Sequence, residues 1–398
     1  LMDSLFIQAV PIIERIEQAG YEAYFVGGSV RDQIIGRAIH DVDIATSATP
    51  GEIKAIFPRT VDVGIEHGTV LVIEKHGSYE ITTFRTESGY SDFRRPDEVR
   101  FVRSLTEDLM RRDFTMNSMA MDKNGNIIDP FGGQKAIMDK RIVTVGNSYE
   151  RFHEDALRMM RAIRFVSQLG FTLDSETLRS LQENGSLLKH IAIERVHAEF
   201  EKLLAGPYRV QGLQLLVQSE LYKYIPRLHN QKDTLKQLTA LPIDTLSVSE
   251  IWALLLIQGR VEDVSSFLRD WRLPVKQIKA IQRVVFFADK PSSFVEHVYD
   301  LFEIGLSEGV QAAKVRAVVH GDSVSDAEAL VRKKYADLVI KDMSELTVGG
   351  ADLLAWHNVN PGPWLKEYLQ MIVTAVLKRE VENDKQKIKE WLVQCNLM

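Results

Sequence analysis

Apolar positions between Ser4 and Gln18 (Leu5, Ile7, Ala9, Val10, Ile12, Ile13, Ile16) recur at helical spacing, and Gly20 ends the run. The pattern then shortens to the period of a strand. It predicts strands over residues 24–26, 41–45, 61–63, 69–74 and 79–85, with a hairpin turn at 75–78. Thr49, Pro50 and Glu52 carry a helix-start signature: a capping hydroxyl, proline in the first turn and a carboxylate three residues on. Residues 86–96 are polar and contain Gly, Ser and Asp, which predicts a mobile loop. Turns at Asn124-Gly125 and at 129–133 bracket a short strand at Ile127-Ile128.

After about Arg141 the strand period disappears. From Phe152 onward nearly every segment is helical in spacing, punctuated by Gly206-Pro207 and Pro361-Gly362-Pro363. The last such segments are a helix start at 349–354 and an amphipathic helix near 362–377. The pattern therefore predicts a small α/β head followed by an extended helical remainder. At 398 residues the chain exceeds the usual size of one core, so several domains are expected.

Composition narrows the class. One cysteine, Cys395, excludes an internal disulfide and a cysteine-based zinc cluster, and fits a reducing, cytoplasmic setting. No apolar run has the length of a membrane-spanning helix, and no signal-peptide pattern opens the sequence. The net charge of −6 gives no global sign of nucleic-acid binding, so any such surface is local. Arginines concentrate at Arg94, Arg95, Arg100, Arg103, Arg111 and Arg112, and again at Arg151, Arg158, Arg161 and Arg164. A solvated charged face explains such stretches equally well.

The candidate chemistry starts at Gly27-Gly28-Ser29-Val30-Arg31, a glycine turn after the first apolar strand, followed by Asp41-Val42-Asp43. On a strand, Asp41 and Asp43 project from the same face. Two carboxylates plus substrate phosphates suit Mg²⁺, a glycine turn admits a phosphate chain, and Arg31 supplies a forked cation. Together they suggest metal-assisted transfer from a nucleoside triphosphate, although Asp-x-Asp also occurs in sugar-nucleotide transferases. Arg111-Arg112-Asp113 with Asn117 offers phosphate-binding cations and a ribose-reading acid or amide; Asp113 as a helix cap is the structural alternative.

Asp155 and Arg158 lie three apart on an expected continuous helix running past Arg161 and Arg164 to Gly170, where they would be face neighbours. An intrahelical ion pair accounts for that spacing. So does base recognition: a carboxylate accepts from an amino group while a guanidinium donates to a ring nitrogen, which suits C and A and rejects U and G. The charged segment Glu194–Leu204 reads as a packing helix.

The motifs FVGGSVRD…DVDIAT, RRDFTMNSMA, DPFGG, FHEDALRMMRAIRF and ERVHAEFEKLL, in this order, resemble the class II tRNA nucleotidyltransferases, the bacterial CCA-adding enzymes, and their poly(A) polymerase relatives. The resemblance implies an α+β fold: a polymerase-β-like nucleotidyltransferase head (1–140), then a helical neck (141–205), body (206–300) and tail (301–398). It implies Asp41 and Asp43 as catalytic ligands of Mg²⁺. Gly28, Arg31 and Arg112 would bind the incoming ATP or CTP, and Asp113 would read the ribose or supply a third carboxylate. Asp155 and Arg158 would act as the base-pairing template, oriented in part by Glu154, with Arg161 and Arg164 completing the nucleotide contacts. The loop at 86–96 corresponds to the segment linked to switching from C to A addition. The implied partner is tRNA, with no membrane, and a homodimer is possible. A poly(A) polymerase, or an enzyme adding only CC or only A, is the competing reading.

Overall fold

The computed structural model describes all of residues 1–398. It divides into two compact units, Leu1–Lys232 and Asp233–Met398. No helix in either is long and apolar enough to cross a membrane.

The first unit begins with helix α1 (Ser4–Gln18), as its periodicity predicts, capped by the Asp3 side chain on the Leu5 amide. Seven strands follow: β1 (Ala23–Val26), β2 (Asp43–Thr46), β3 (Thr60–Gly64), β4 (Thr69–Glu74), β5 (Gly77–Thr83), β6 (Arg85–Ser88) and β7 (Glu98–Phe101). Two short strands, β8 (Ala120–Met121) and β9 (Ile127–Ile128), complete the set. The main sheet runs β3-β4-β5-β2-β1-β8-β9, antiparallel except for the parallel β2/β5 pair, and β6/β7 form a separate hairpin. One sheet face packs Phe6, Ile13, Phe25, Ile44, Val70 and Ile81 into the larger core. Val26, Ala45, Phe84, Leu109 and Ala120 form a smaller core. Neighbouring strand residues thus belong to different clusters, as the two-residue side-chain period requires.

Helices α2 (Gly28–Ile35), α3 (Pro50–Ile56), α4 (Leu105–Met110) and α5 (Gly133–Met138) flank the sheet. Thr49 and Glu52 close the expected capping box on α3. Beyond them come α6 (Ser148–Glu154), α7 (Leu157–Leu169), α8 (Ser175–Asn184) and α9 (Ile193–Ala205), with α9 packed along α7. The head and these helices interlock: Arg141–Ile142 pairs with Thr172–Leu173, and the Thr115 amide donates to the Val143 carbonyl.

Three local expectations need correction. Asp41 precedes β2 instead of lying on it, because β1 leaves the sheet at Gly27 and nothing remains for Asp41 to pair with. Val42 is still buried between two exposed aspartates, so both carboxylates face outward. The polar segment at 86–96 begins as strand, since β6 takes its partner from β7 through backbone bonds that side-chain composition does not report. Finally, the helix expected to run unbroken from Arg151 to Gly170 is split. Asp155 adopts extended angles (φ −141°, ψ 105°) between α6 and α7.

The second unit is helical throughout. Helices Val248–Gln258, Val275–Ala288 and Leu306–His320 pack around Trp252 and Trp271, whose rings meet edge to face at 5.2 Å. Ser247 and Glu250 form a capping box, and the buried Glu250 also pairs with Lys314 at 2.8 Å. The two late helices expected from the pattern are present as Gly350–His357 and Trp364–Leu377.

Candidate active site

Strand register builds the site. Val26 pairs with Asp43, so the Gly27-Gly28 turn that ends β1 lies at the same sheet end as the carboxylate opening β2. Gly27 has φ +78°, a conformation that a side-chain-bearing residue rarely adopts. A Cβ there would stand 3.5 Å from Arg112 Nη1, and one on Gly28 would stand 3.4 Å from Arg31 Nη2. Both guanidiniums thus lie at van der Waals distance from these positions at the start of α2, where free amides and the helix dipole favour a phosphate.

A cavity of about 450 Å³ opens there, lined by Gly27, Gly28, Arg31, Asp43, Arg111, Arg112, Asp113, Asn117, Asp155, Arg158, Arg161, Arg164 and Phe165. Six arginines against three aspartates make it strongly cationic in a chain of net charge −6. It brings together Gly28, Arg31, Asp43, Arg112, Asp113, Asp155, Arg158, Arg161 and Arg164, all singled out in the sequence. Asp41 stands outside the lining.

Each arginine is held by a defined anion or carbonyl. Arg31 donates to Asn117 Oδ1 at 2.7 Å and to Asp32 at 3.0 Å. Arg112 donates to Asp108 at 3.1 Å, while its buried Nε has no partner. Burial pulls the Arg112 pKa down; Asp108 opposes this. Burial would raise the pKa of Asp108, yet Arg111 and Arg112 hold it below the ordinary carboxylate range. Arg158 reaches Glu154 at 2.6 Å and the Arg111 carbonyl at 2.9 Å. Arg164 lies 4.2 Å above the Phe165 ring and 2.5 Å from Glu199. Burial, helped by like-charged Arg161 and Arg31 and opposed by Glu199, brings its pKa to about 10.

The acids divide into two kinds. Asp113 is fully engaged, accepting from the Phe114 amide (2.7 Å), Asn117 (3.2 Å) and Arg161 (2.7 Å). Burial acts against its charge, but Arg161 and Arg158 bring its pKa to about 2. Asp43 is the opposite case. Although its side chain is solvent-accessible, desolvation by the surrounding cavity wall, then Glu80 and Asp41, push its pKa up, and only Arg112 opposes them. Glu80 arrives through register: Ile44 pairs with Ile81 in the parallel β2/β5 ladder, so Glu80 sits beside Asp43.

Asp155 and Arg158 share the cavity wall without touching as helix neighbours. Asp155 Oδ1 accepts from the Leu157 amide at 3.1 Å and Oδ2 from Arg195 at 2.9 Å. An aspartate two residues before a helical run often bonds the backbone this way, which is the signal that marks the break. Phe165, Glu80, Asp108 and Glu199 were not singled out in the sequence. Glu199 lies within the packing helix α9, and its burial at 5% exposure distinguishes it from a solvated charge.

Residues 23–143 match the poly A polymerase head domain, 170–232 the probable RNA and SrmB-binding site of polymerase A, and 217–392 domain 2 of tRNA nucleotidyltransferase. A CCA-adding enzyme of Geobacillus sp. (strain WCH70) is 47% identical over 399 residues, covering 100% of this chain and 99% of its own. The chain belongs to the CCA-adding enzyme family. A second CCA-adding enzyme, from Geobacillus kaustophilus (strain HTA426), is 48% identical over 98% of this chain and 97% of its own. The crystal structure of the Bacillus stearothermophilus CCA-adding enzyme in complex with CTP superposes with a TM-score of 0.92 at 45% identity, over 99% of this chain and 98% of that one. The α+β fold, a mixed-sheet nucleotidyltransferase head with a helical remainder, is that of the family.

Proposed function

We propose that this protein adds C, C and A to the 3′ end of tRNA from CTP and ATP, without a nucleic-acid template and with release of pyrophosphate. The observation that carries the reading is the shared cavity: phosphate-binding groups, a reaction-centre carboxylate and a C/A-complementary acid–base pair line one wall.

In this reading the glycine turn and Arg31 cradle the triphosphate, and the unpartnered Nε of Arg112 donates to it. Asp113 and Asn117 fix Arg161 and Arg31 and lie where a ribose would be read. Asp155 accepts from the exocyclic amino group of C or A, and Arg158 donates to the adjacent ring nitrogen. A base of the wrong polarity leaves buried groups unpaired, at about 1–3 kcal/mol each. The tRNA 3′-hydroxyl attacks the α-phosphorus in line and pyrophosphate leaves, with positioning and charge stabilisation lowering the barrier.

The donor set fits a divalent cation. Desolvation, then Glu80 and Asp41, raise the Asp43 pKa, so a cation bound there would favour its ionised form. That arrangement suits Mg²⁺, which takes one or two carboxylates plus substrate phosphates. Asp41 and Asp43 would hold it, and when bound it would acidify the attacking hydroxyl and neutralise the triphosphate. Neck (141–205), body (206–300) and tail (301–398) would recognise tRNA by shape and phosphate, since every tRNA must be accepted. The protein works in the cytoplasm, and a homodimer is compatible with the reading.

Purified protein is incubated with Mg²⁺ and tRNA ending at either the discriminator base or CC. CTP alone should add two residues to the first, and ATP alone one residue to the second. Long A-tails without C addition would instead support a poly(A) polymerase, the activity for which the matched head domain is named. C without A, or A without C, would support a partial enzyme.

A further inference from the structure

Three of the cavity's guanidiniums converge on one aromatic ring. Phe165 lies on α7, lines the cavity and is 2% exposed. Arg164 stands over its ring at 4.2 Å from the centroid, Arg31 at 5.0 Å and Arg161 at 5.3 Å. All three fall within the roughly 6 Å at which the ring quadrupole attracts a cation. Arg161 and Arg164 come from the same helix as the ring, whereas Arg31 comes from α2 of the head. The head also fixes the ring itself, since Phe114 meets it edge to face at 5.9 Å and 87°.

Each of these cations has an anion of its own: Asp32 for Arg31, Asp113 for Arg161 and Glu199 for Arg164. Like charge still drives the three apart, and Arg161 and Arg31 both weigh against the charged form of Arg164. A further carboxylate among them would hold the group together but would cancel charge that a triphosphate needs. An aromatic face attracts cations and subtracts no charge. We infer that Phe165 is a positioning residue for the triphosphate: its ring gathers Arg31, Arg161 and Arg164 into one preassembled anion site without neutralising them. An arriving anion is then spared the ordering of three flexible side chains. This rests on the reading of the cavity as the triphosphate site.

The test uses full-length protein and measures equilibrium dissociation constants for CTP and for inorganic triphosphate. Phe165 is replaced by mono-, di- and trifluorinated phenylalanine, which withdraw charge from the ring face at nearly constant shape, and separately by Leu. Along the fluorinated series both constants should rise stepwise to about tenfold, the scale of one or two cation–ring contacts, while the thermal midpoint stays level. Phe165→Leu should weaken binding of both ligands at least as much. Discrimination of C and A against U and G should stay at the wild-type level, because Arg158 is held by Glu154 and the Arg111 carbonyl. Constants that do not move with fluorination overturn the inference, and they do so even where Phe165→Leu fails to fold. If Arg31→Ala binds both ligands as tightly as wild type, the triphosphate reading of the cavity fails first, and the inference falls with it.

Discussion

Arg161 and Asp113 meet across forty-eight residues of chain, Nε to Oδ2 at 2.7 Å, and this contact joins the helical segment to the head. Asp113 has a folded-state pKa of about 2, below the unfolded carboxylate value. Its ionised form therefore stabilises the fold at pH above about 4, and the contribution, on the order of 2 kcal/mol, disappears as pH falls from about 4 to about 2. Asp113→Asn should be less stable than wild type at pH 7, with the difference shrinking through that window. Urea midpoints from pH 2 to 7 check it, and parallel curves would count against the pairing.

Glu199 is the only carboxylate that contacts both Arg161 and Arg164, at 3.8 and 2.5 Å. Removing it leaves the buried Arg164 without its carboxylate, while Arg161 keeps Asp113, and an uncompensated buried cation costs about 3–5 kcal/mol. Glu199→Ala should accordingly lower the thermal midpoint and weaken CTP binding, whereas an exposed charge such as Glu176 can be replaced with little change. A midpoint equal to wild type would mean that the pair is solvated.

Desolvation, then Glu80 and Asp41, work against the charge of Asp43 more than Arg112 favours it, so replacing it should not harm the fold. Asp43→Asn should keep wild-type stability, since repulsion from Glu80 and Asp41 is relieved, while nucleotide transfer falls by about a thousandfold. Chelation of divalent cations should abolish transfer in wild type yet leave the arginine-based binding of CTP measurable. Single-turnover assays with equilibrium CTP binding separate the two effects. Retained transfer in Asp43→Asn would remove it from the reaction centre.

How much of this was legible in the sequence depended on distance along the chain. The helix Ser4–Gln18, strand Thr69–Glu74 and the Thr49 capping box are local events, and local spacing marked each of them. The residues that line the cavity were legible wherever a motif carried them. What escaped needed a remote partner. The Ala156 amide finds its acceptor at Phe93, Asp155 finds Arg195, and Glu80 reaches Asp43 only through sheet register. Periodicity therefore suggested an unbroken helix and a featureless loop in the two places where tertiary bonds decide the backbone.

The central claim is that the protein itself reads the base, through Asp155 and Arg158 on the wall of one cavity. Arg158→Ala removes the guanidinium but leaves Asp43, Arg31 and the glycine turn in place. The decisive measurement is kcat/KM for CTP, ATP, UTP and GTP with wild type and this variant on matched tRNA primers. The account predicts that transfer persists while discrimination of C and A against U and G falls by at least about tenfold. Transfer at reduced rate with discrimination equal to wild type would contradict it.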